Sequence, residues 1–227
     1  MTDDRVQRGM AAQLILRRER LDAGDEHLGW KVGFGTPAVM ESLGTTSALV
    51  GYLVRGAVVP SGGTVSLAGW TKPMLEPEIA VHLRSDVRGG ADRDLVEAAV
   101  GGLGAAIELA DIHPAPGDVE AMLAGDLYQR HVLLGPVRGV RAPDGVALEL
   151  RRRGELVGET DDPTAATGDL LDVVGHVAST LEAAGERLRA GSVVITGSVI
   201  PPIEVAAGDD VEVSLEPLGT LRVSFTS

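Results

Sequence analysis

Apolar positions recur along this chain with two periods, and the alternation between them outlines its elements. Val6, Met10, Leu14 and Leu21 fall on one face of a helix that Thr2 or Asp3 can cap and that Gly24 and the acidic pair Asp25-Glu26 end. Pro37 to Leu43 forms a short helical turn with proline at its start and Gly44 as its stop. Asp92 caps a helix to Val100 that Gly101-Gly102 stops, and Asp118 to Gly125 forms a shorter one. From Asp169 to Ala184, Leu170, Val173, Val174, Val177 and Leu181 make one apolar side, closed by Gly185.

Between these helices lie short apolar runs cut by glycine and proline. They predict strands at Gly29–Phe34, Leu49–Val54, Ala57–Pro60, Thr64–Leu67, Leu75–Val81, Leu103–Asp111 and Leu127–Leu134. Further runs follow at Val146–Arg152, Glu155–Gly158, Val193–Thr196, Val211–Leu215 and Leu221–Phe225. Ser61-Gly62-Gly63 reads as a hairpin turn joining two of them. Strand runs with a few interspersed helices indicate an α+β fold with a mainly antiparallel or mixed sheet. Nothing marks a linker in the 227 residues, so the chain reads as a helical segment over 1–28 and a single domain over 29–227.

Inside the run Leu75-Glu76-Pro77-Glu78-Ile79-Ala80-Val81 two carboxylates stand one residue apart, on one face of an extended strand. Pro77 lacks a ladder donor, which leaves a kinked edge strand with one solvated glutamate as the plain alternative. Glu108 sits in a second, almost wholly apolar strand, where an unpaired charge is costly. A hard divalent cation relieves three such charges at once. With no cysteine, any metal must be held by oxygen or imidazole. His82 follows Glu78 at i+4 and reads as structural, as do His113 and His176, and Asp111 falls on the strand face opposite Glu108.

Charge and composition narrow the partners. A net charge of −13 argues against nucleic acid, no apolar run approaches a membrane span, and the Met1–Arg5 start is not a signal peptide, which together point to the cytoplasm. Only Lys31 and Lys72 are lysines among twenty basic residues. Lysine, unlike arginine, can be brought to exchange protons by burial, which singles out Lys31 between Trp30 and Val32.

Four stretches together, Gly29-Trp30-Lys31-Val32-Gly33-Phe34, Leu75 to Ala80, Ala106 to Asp111 and Leu188 to Ser198, resemble the fumarylacetoacetate hydrolase superfamily. Within it they are most similar to 2-hydroxypentadienoate hydratases and 4-oxalocrotonate decarboxylases, and the resemblance runs from about Gly29 to Phe225. It implies a strand-rich mixed β-roll with peripheral helices, in homodimers or larger homo-oligomers, and makes 29–227 a catalytic domain. It implies that Glu76, Glu78 and Glu108 bind one Mg²⁺ or Mn²⁺, that Lys31 is the active-site lysine, and that Thr196, Gly197 and Ser198 line the pocket and meet the substrate carboxylate. The expected activity is that of a metal-dependent lyase acting on a small 2-oxo acid or its dienol through a metal-stabilised enolate.

Two departures bear on which reaction is run. Leu49-Val50-Gly51 replaces an Asp-Phe-Gly of the hydratases, and Asp126 to His131 replaces an Asp-Asn-Ala-Ser-like stretch, making Arg130 and His131 substitute candidates for carboxylate binding or proton transfer. Hydration and decarboxylation stand first, because C–C hydrolysis in this superfamily relies on a His-Glu pair that the neighbours of His27 do not form. An acylpyruvate-type C–C hydrolase, with His27 as its only nearby histidine, stands behind them, and a catalytically inactive oligomeric domain of the same fold is the reading from another class.

Overall fold

The computed structural model of the chain describes residues 3–139 and 145–227. Helix α1 (Asp4–Asp22) begins at Asp3, whose side chain accepts the Arg5 amide; the other cap candidate, Thr2, lies outside the described residues. There follow β1 (His27–Gly33), α2 (Pro37–Leu43), β2 (Leu49–Val54), β3 (Gly63–Ser66), β4 (Pro73–Leu83), α3 (Arg93–Ala99) and β5 (Val100–Asp111). The second half runs through α4 (Val119–Ala124), β6 (Gln129–Leu134), β7 (Ala147–Arg152), β8 (Glu155–Thr160), α5 (Thr164–Thr167) and α6 (Leu170–Ala183). It closes with β9 (Val193–Ser198), β10 (Ile203–Glu204), β11 (Asp210–Glu216) and β12 (Gly219–Thr226).

One sheet has the order β2-β1-β9-β4-β5-β6, with β10 also pairing β4, and the other has the order β3-β12-β11-β7-β8. The β1–β9 and β3–β12 pairs are parallel and the rest antiparallel, so both sheets are mixed. One face of the larger sheet, through Trp30, Leu75, Ile79 and Ile107, joins Val213, Leu221 and Phe225 of the smaller sheet and Val177 of α6 in a single core. The opposite face carries Leu53, Ala80, Ala106, Val132 and Ile195 as a separate cluster.

That second face is the inside of a roll. Val58 bridges Val132, and the Val59 amide donates to the Val132 carbonyl at 3.0 Å, so the segment after β2 meets β6 and the sheet curls onto itself. Inward positions beside the site must leave room for its long side chains, while Leu53, Val132 and Ile195 fill the rest of the interior. Gly51, Ala80 and Ala106 meet that demand.

Four details differ from the sequence reading. Ala57–Pro60 is not a strand: a 3-10 turn covers Arg55–Ala57 and only Val58 bridges, because Pro60 offers no ladder amide. Thr64 to Leu67 is not half of a hairpin, since β3 runs parallel to the end of β12. Gly101 and Gly102 lie within β5 rather than stopping α3, and a Cβ on Gly102 would run into the Arg138 carbonyl. The strand expected from Leu127 starts at Gln129, after a turn in which Asp126, Leu127 and Tyr128 all take positive φ, 56°, 51° and 67°.

Candidate metal centre and active-site cavity

β4 is an interior strand, between β5 on one side and β9 and β10 on the other, which overturns the solvated edge-strand alternative for Glu76 and Glu78. Pro77 is tolerated there because the β4–β9 register breaks between Glu78 and Ala80, while the Pro77 carbonyl takes the Val199 amide at 2.9 Å. Strand alternation then sends Glu76 and Glu78 into the roll with Ala80, and Ile79 and Val81 into the main core. Cross-strand pairing sets Glu76 opposite Glu108 and Glu78 opposite both Ala106 and Ser198. Lys31, paired with Gly51 and Ile195, points to the same interior.

There Lys31 is 3% exposed and forms an ion pair with Glu108, and its ammonium also donates to the Leu127 carbonyl at 3.2 Å. Burial pulls the lysine down, yet Glu108, Glu76 and Asp126 outweigh it and hold Lys31 above its ordinary value. The lowering expected from a desolvated lysine is thus reversed by the surrounding anions. Burial, then Glu108, push Glu76 up to about 7 against the pull of Lys31. Glu78, fully buried, is raised well above a normal carboxylate by burial and by both other glutamates.

The Thr196-Gly197-Ser198 turn holds this cluster from β9. The Gly197 amide donates to Glu78 Oε2 at 2.7 Å, Thr196 Oγ1 donates to the Ile79 carbonyl at 3.2 Å, and Ser198 Oγ to the Ile200 carbonyl at 2.6 Å. All three residues line a cavity of about 760 Å³, together with Lys31, Glu76 and Glu108, and its walls are mainly apolar, among them Phe34, Met74, Ile112 and Val173. Glu78 sits behind that surface, and its Oε1 is buried without a hydrogen-bond partner.

Arg130 and His131 are not brought to the cavity. His131 pairs with Leu109, one position out of phase with the Glu108–Val132 pair, so it faces away from the glutamates and stacks on Trp70 at 6.0 Å. Arg130 sits at the irregularity in β6 and reaches Asp111 at 3.4 Å. His27 lies on the α1 side, between Arg17, Ser192 and Trp30, and does not line the cavity. His82 shares the inward face but sits about 13 Å along the strand from Glu78. Asp111 caps a loop, accepting the Thr71 and Lys72 amides at 3.0 and 2.7 Å.

Sequence reasoning passed over one participant. Asp126, 4% exposed, accepts the Tyr52 amide at 2.8 Å and contributes negative potential at Lys31. Its own carboxyl is raised well above normal by burial, with Lys31 and the Tyr52 amide opposing. A Cβ at Gly51 would stand 2.8 Å from Lys31 Cγ and 2.9 Å from Asp126 Oδ1, so glycine there lets the two side chains pass the strand. Leu49 is buried under Val119, Met122 and Leu127, leaving no carboxylate on β2. The only sequence signal for Asp126 is an acid in an otherwise apolar stretch.

Among the described residues no three acidic or imidazole side chains stand in a closed coordination geometry; Glu108 is turned to Lys31 and Glu78 to Gly197. The donor set nevertheless fits a hard divalent ion. Three buried carboxylates repel one another, one of their oxygens is orphaned, and every donor is oxygen.

The family model described as fumarylacetoacetate (FAA) hydrolase C-terminal matches residues 40–226. The chain belongs to that family. Among the family's characterised proteins, a 2-hydroxyhexa-2,4-dienoate hydratase of Comamonas testosteroni is 28% identical over 223 residues, covering 94% of this chain and 83% of the relative. A 4-oxalocrotonate decarboxylase of Pseudomonas putida is 28% identical over 221 residues, with the same shares covered. The family fold is seen again in the 4-oxalocrotonate decarboxylase from Pseudomonas putida G7 complexed with magnesium and adipate. That structure superposes with a TM-score of 0.88 at 25% identity, over 95% of this chain and 84% of that one.

Proposed function

We propose that this protein is a divalent-metal-dependent lyase of small 2-oxo acids and their dienols, with decarboxylation of a 2-oxo-enedioate as its reaction. The observation that carries the reading is the meeting of Glu76, Glu108 and Lys31 at one wall of a largely apolar cavity, with Glu78 buried directly behind them. Glu76, Glu78 and Glu108 would hold one Mg²⁺ or Mn²⁺, which when bound supplies Lewis-acid polarisation of a chelated 2-oxo acid. Lys31, kept protonated by its anionic neighbours, holds a proton at Nζ beside the reacting chain. The Thr196-Gly197-Ser198 turn aims Glu78 and shapes the carboxylate end of the pocket. The apolar walls exclude water from a charge-delocalising step.

For 2-oxohex-3-enedioate the C5–C6 bond breaks, C6 departs as CO₂, and the bond's electron pair spreads over C5, C3 and the C2 oxygen as a dienolate. One proton completes the 2-hydroxydienoate. No water is activated, which suits a site with leucine at position 49. Hydration of 2-hydroxypenta-2,4-dienoate is the second reading, favoured by the hydratases among the relatives. The dicarboxylate adipate in the decarboxylase structure supports the first. The hydrolase alternative loses the histidine it rests on, since His27 lies outside the cavity and the His176 ring that lines it is engaged with the Ala48 carbonyl. The same reading takes 29–227 as the catalytic unit, in a cytoplasmic homodimer or larger homo-oligomer; no helix among the described residues is long and apolar enough to cross a membrane.

The test is absorbance-monitored turnover of 2-oxohex-3-enedioate, 2-hydroxypenta-2,4-dienoate and an acylpyruvate, with Mg²⁺, with Mn²⁺ and with chelator. Metal-dependent release of CO₂ from the first is the expected result. Consumption of only the dienoate would move the assignment to hydration. Inertness towards all three with metal still bound would favour the inactive-domain reading.

A further inference from the structure

Lys72 is the second of the chain's two lysines, and it lines the same cavity as the first. It precedes β4 by one residue, so Lys72, Met74 and Glu76 follow one another at i, i+2 and i+4, and all three face the cavity. Lys72 therefore stands about 13 Å along the wall from Glu76, outward from the carboxylate cluster. Its backbone is pinned: the amide donates to Asp111 Oδ1 at 2.7 Å and the carbonyl accepts the Ile112 amide at 3.0 Å. Its side chain is exposed and has no ion-pair partner among the described residues.

Apart from Glu76, which belongs to the carboxylate cluster, the cavity's other charges are engaged. Lys31 is held by Glu108, and Asp169 and Asp172 are held by Arg93 at 2.7 and 3.1 Å. The His176 ring bonds the Ala48 carbonyl at 2.9 Å. Lys72 is thus the cavity's one unpaired cation among the described residues, at the end of the wall away from the glutamates, on a four-carbon stem that can fold back over Met74.

We infer that Lys72 is a specificity residue that pairs with the far carboxylate of a dicarboxylic 2-oxo acid whose oxo-acid head lies at Glu76, Glu78 and Glu108. The inference rests on the proposed lyase reading and sharpens it, since a monocarboxylic dienoate gives Lys72 nothing to bind. The pairing exists in the bound substrate and disappears as that carboxylate leaves as CO₂. Its loss therefore weakens binding more than it slows the chemical step.

The test uses two unreactive acids with the same head, 2-oxohexanedioate and 2-oxohexanoate, titrated calorimetrically into the full chain with Mg²⁺. The wild type is expected to favour the diacid about 5- to 10-fold, the range of a partly solvated charge pair. Lys72→Gln is expected to bring the two affinities within about twofold, and Lys72→Arg to keep most of the preference. Raising NaCl shrinks the wild-type preference and leaves that of Lys72→Gln flat, which a merely structural role would not produce. With the enedioate, Lys72→Gln raises KM several-fold more than it changes kcat.

A wild type without preference, or a preference that Lys72→Gln retains, overturns the assignment. Inability of the wild type to bind either acid overturns it together with the lyase reading. Absence of turnover with the affinity ratio intact and Lys72-dependent removes only the reaction and leaves the dicarboxylate site standing.

Discussion

Glu76 stands directly opposite Glu108 across the β4–β5 ladder, two like charges on the interior face of a curled sheet. Such a pair opposes folding unless a cation intervenes, and here Lys31 supplies only one positive charge against three glutamates. Glu76→Gln is therefore expected to raise the melting temperature of the metal-free protein by a few degrees, about 1 kcal/mol of relieved repulsion. On the proposed metal reading it should also abolish the stabilisation expected from Mg²⁺ in the wild type. Calorimetric melts with chelator and with excess Mg²⁺ check both signs, and a variant still stabilised by Mg²⁺ would remove Glu76 from the ligand set.

Lys31→Met removes the proton held at Nζ without adding charge. Turnover is expected to fall by roughly 10² or more, the scale of a lost acid–base group, while Mg²⁺ binding persists or tightens because Glu108 is released. Parallel activity assays and metal titrations separate the two effects. Loss of metal binding along with activity would mean that Lys31 serves the fold.

Gly51→Ala puts a methyl group where Lys31 Cγ and Asp126 Oδ1 lie within 3 Å. The cost is expected to be about 1–3 kcal/mol, with a larger proportional loss in kcat than in substrate affinity as Lys31 is displaced. Asp126→Ala strands the buried Tyr52 amide and is expected to cost a similar amount, whereas Asp126→Asn keeps that hydrogen bond and most of the stability. Urea unfolding midpoints against steady-state kinetics decide the matter.

Acid sensitivity is expected from a residue outside the cavity. Burial, helped by Arg17 and Arg189, lowers His27 to about 4, so the unfolded chain takes up a proton there before the folded one does. That contribution to stability is complete above pH 6.5 and is lost as pH falls towards 4. His27→Gln should flatten this part of the melting profile by about 2 kcal/mol, or roughly 5 °C. An unchanged profile between pH 7 and 4 would show that His27 is not the group responsible.

Much of the fold and site is legible in the residues themselves. The helices over 4–22, 37–43 and 170–183 follow from apolar spacing and from the caps Asp3, Gly44 and Asp169. Glu76, Glu78 and Glu108 stand out because a carboxylate in an apolar strand needs a reason, and period-2 alternation already puts the first two on one face. Arg130 and His131 lie outside the cavity for a physical reason. Three successive left-handed residues at 126–128 and the irregularity after Leu109 shift the phase of β6, and no local propensity announces either.

The sequence by itself determined which side chains are chemically conspicuous, because burial cost and strand period are local properties of the chain. Only the tertiary structure decided which of them meet. Strands distant in the sequence set Glu76 against Glu108, the left-handed turn before β6 brought Asp126 past Gly51 to Lys31, and the pairing of β4 with β9 turned Pro77 from an edge marker into an interior break. Non-local pairing sets these contacts, and pairing depends on the register of the whole sheet rather than on any one segment.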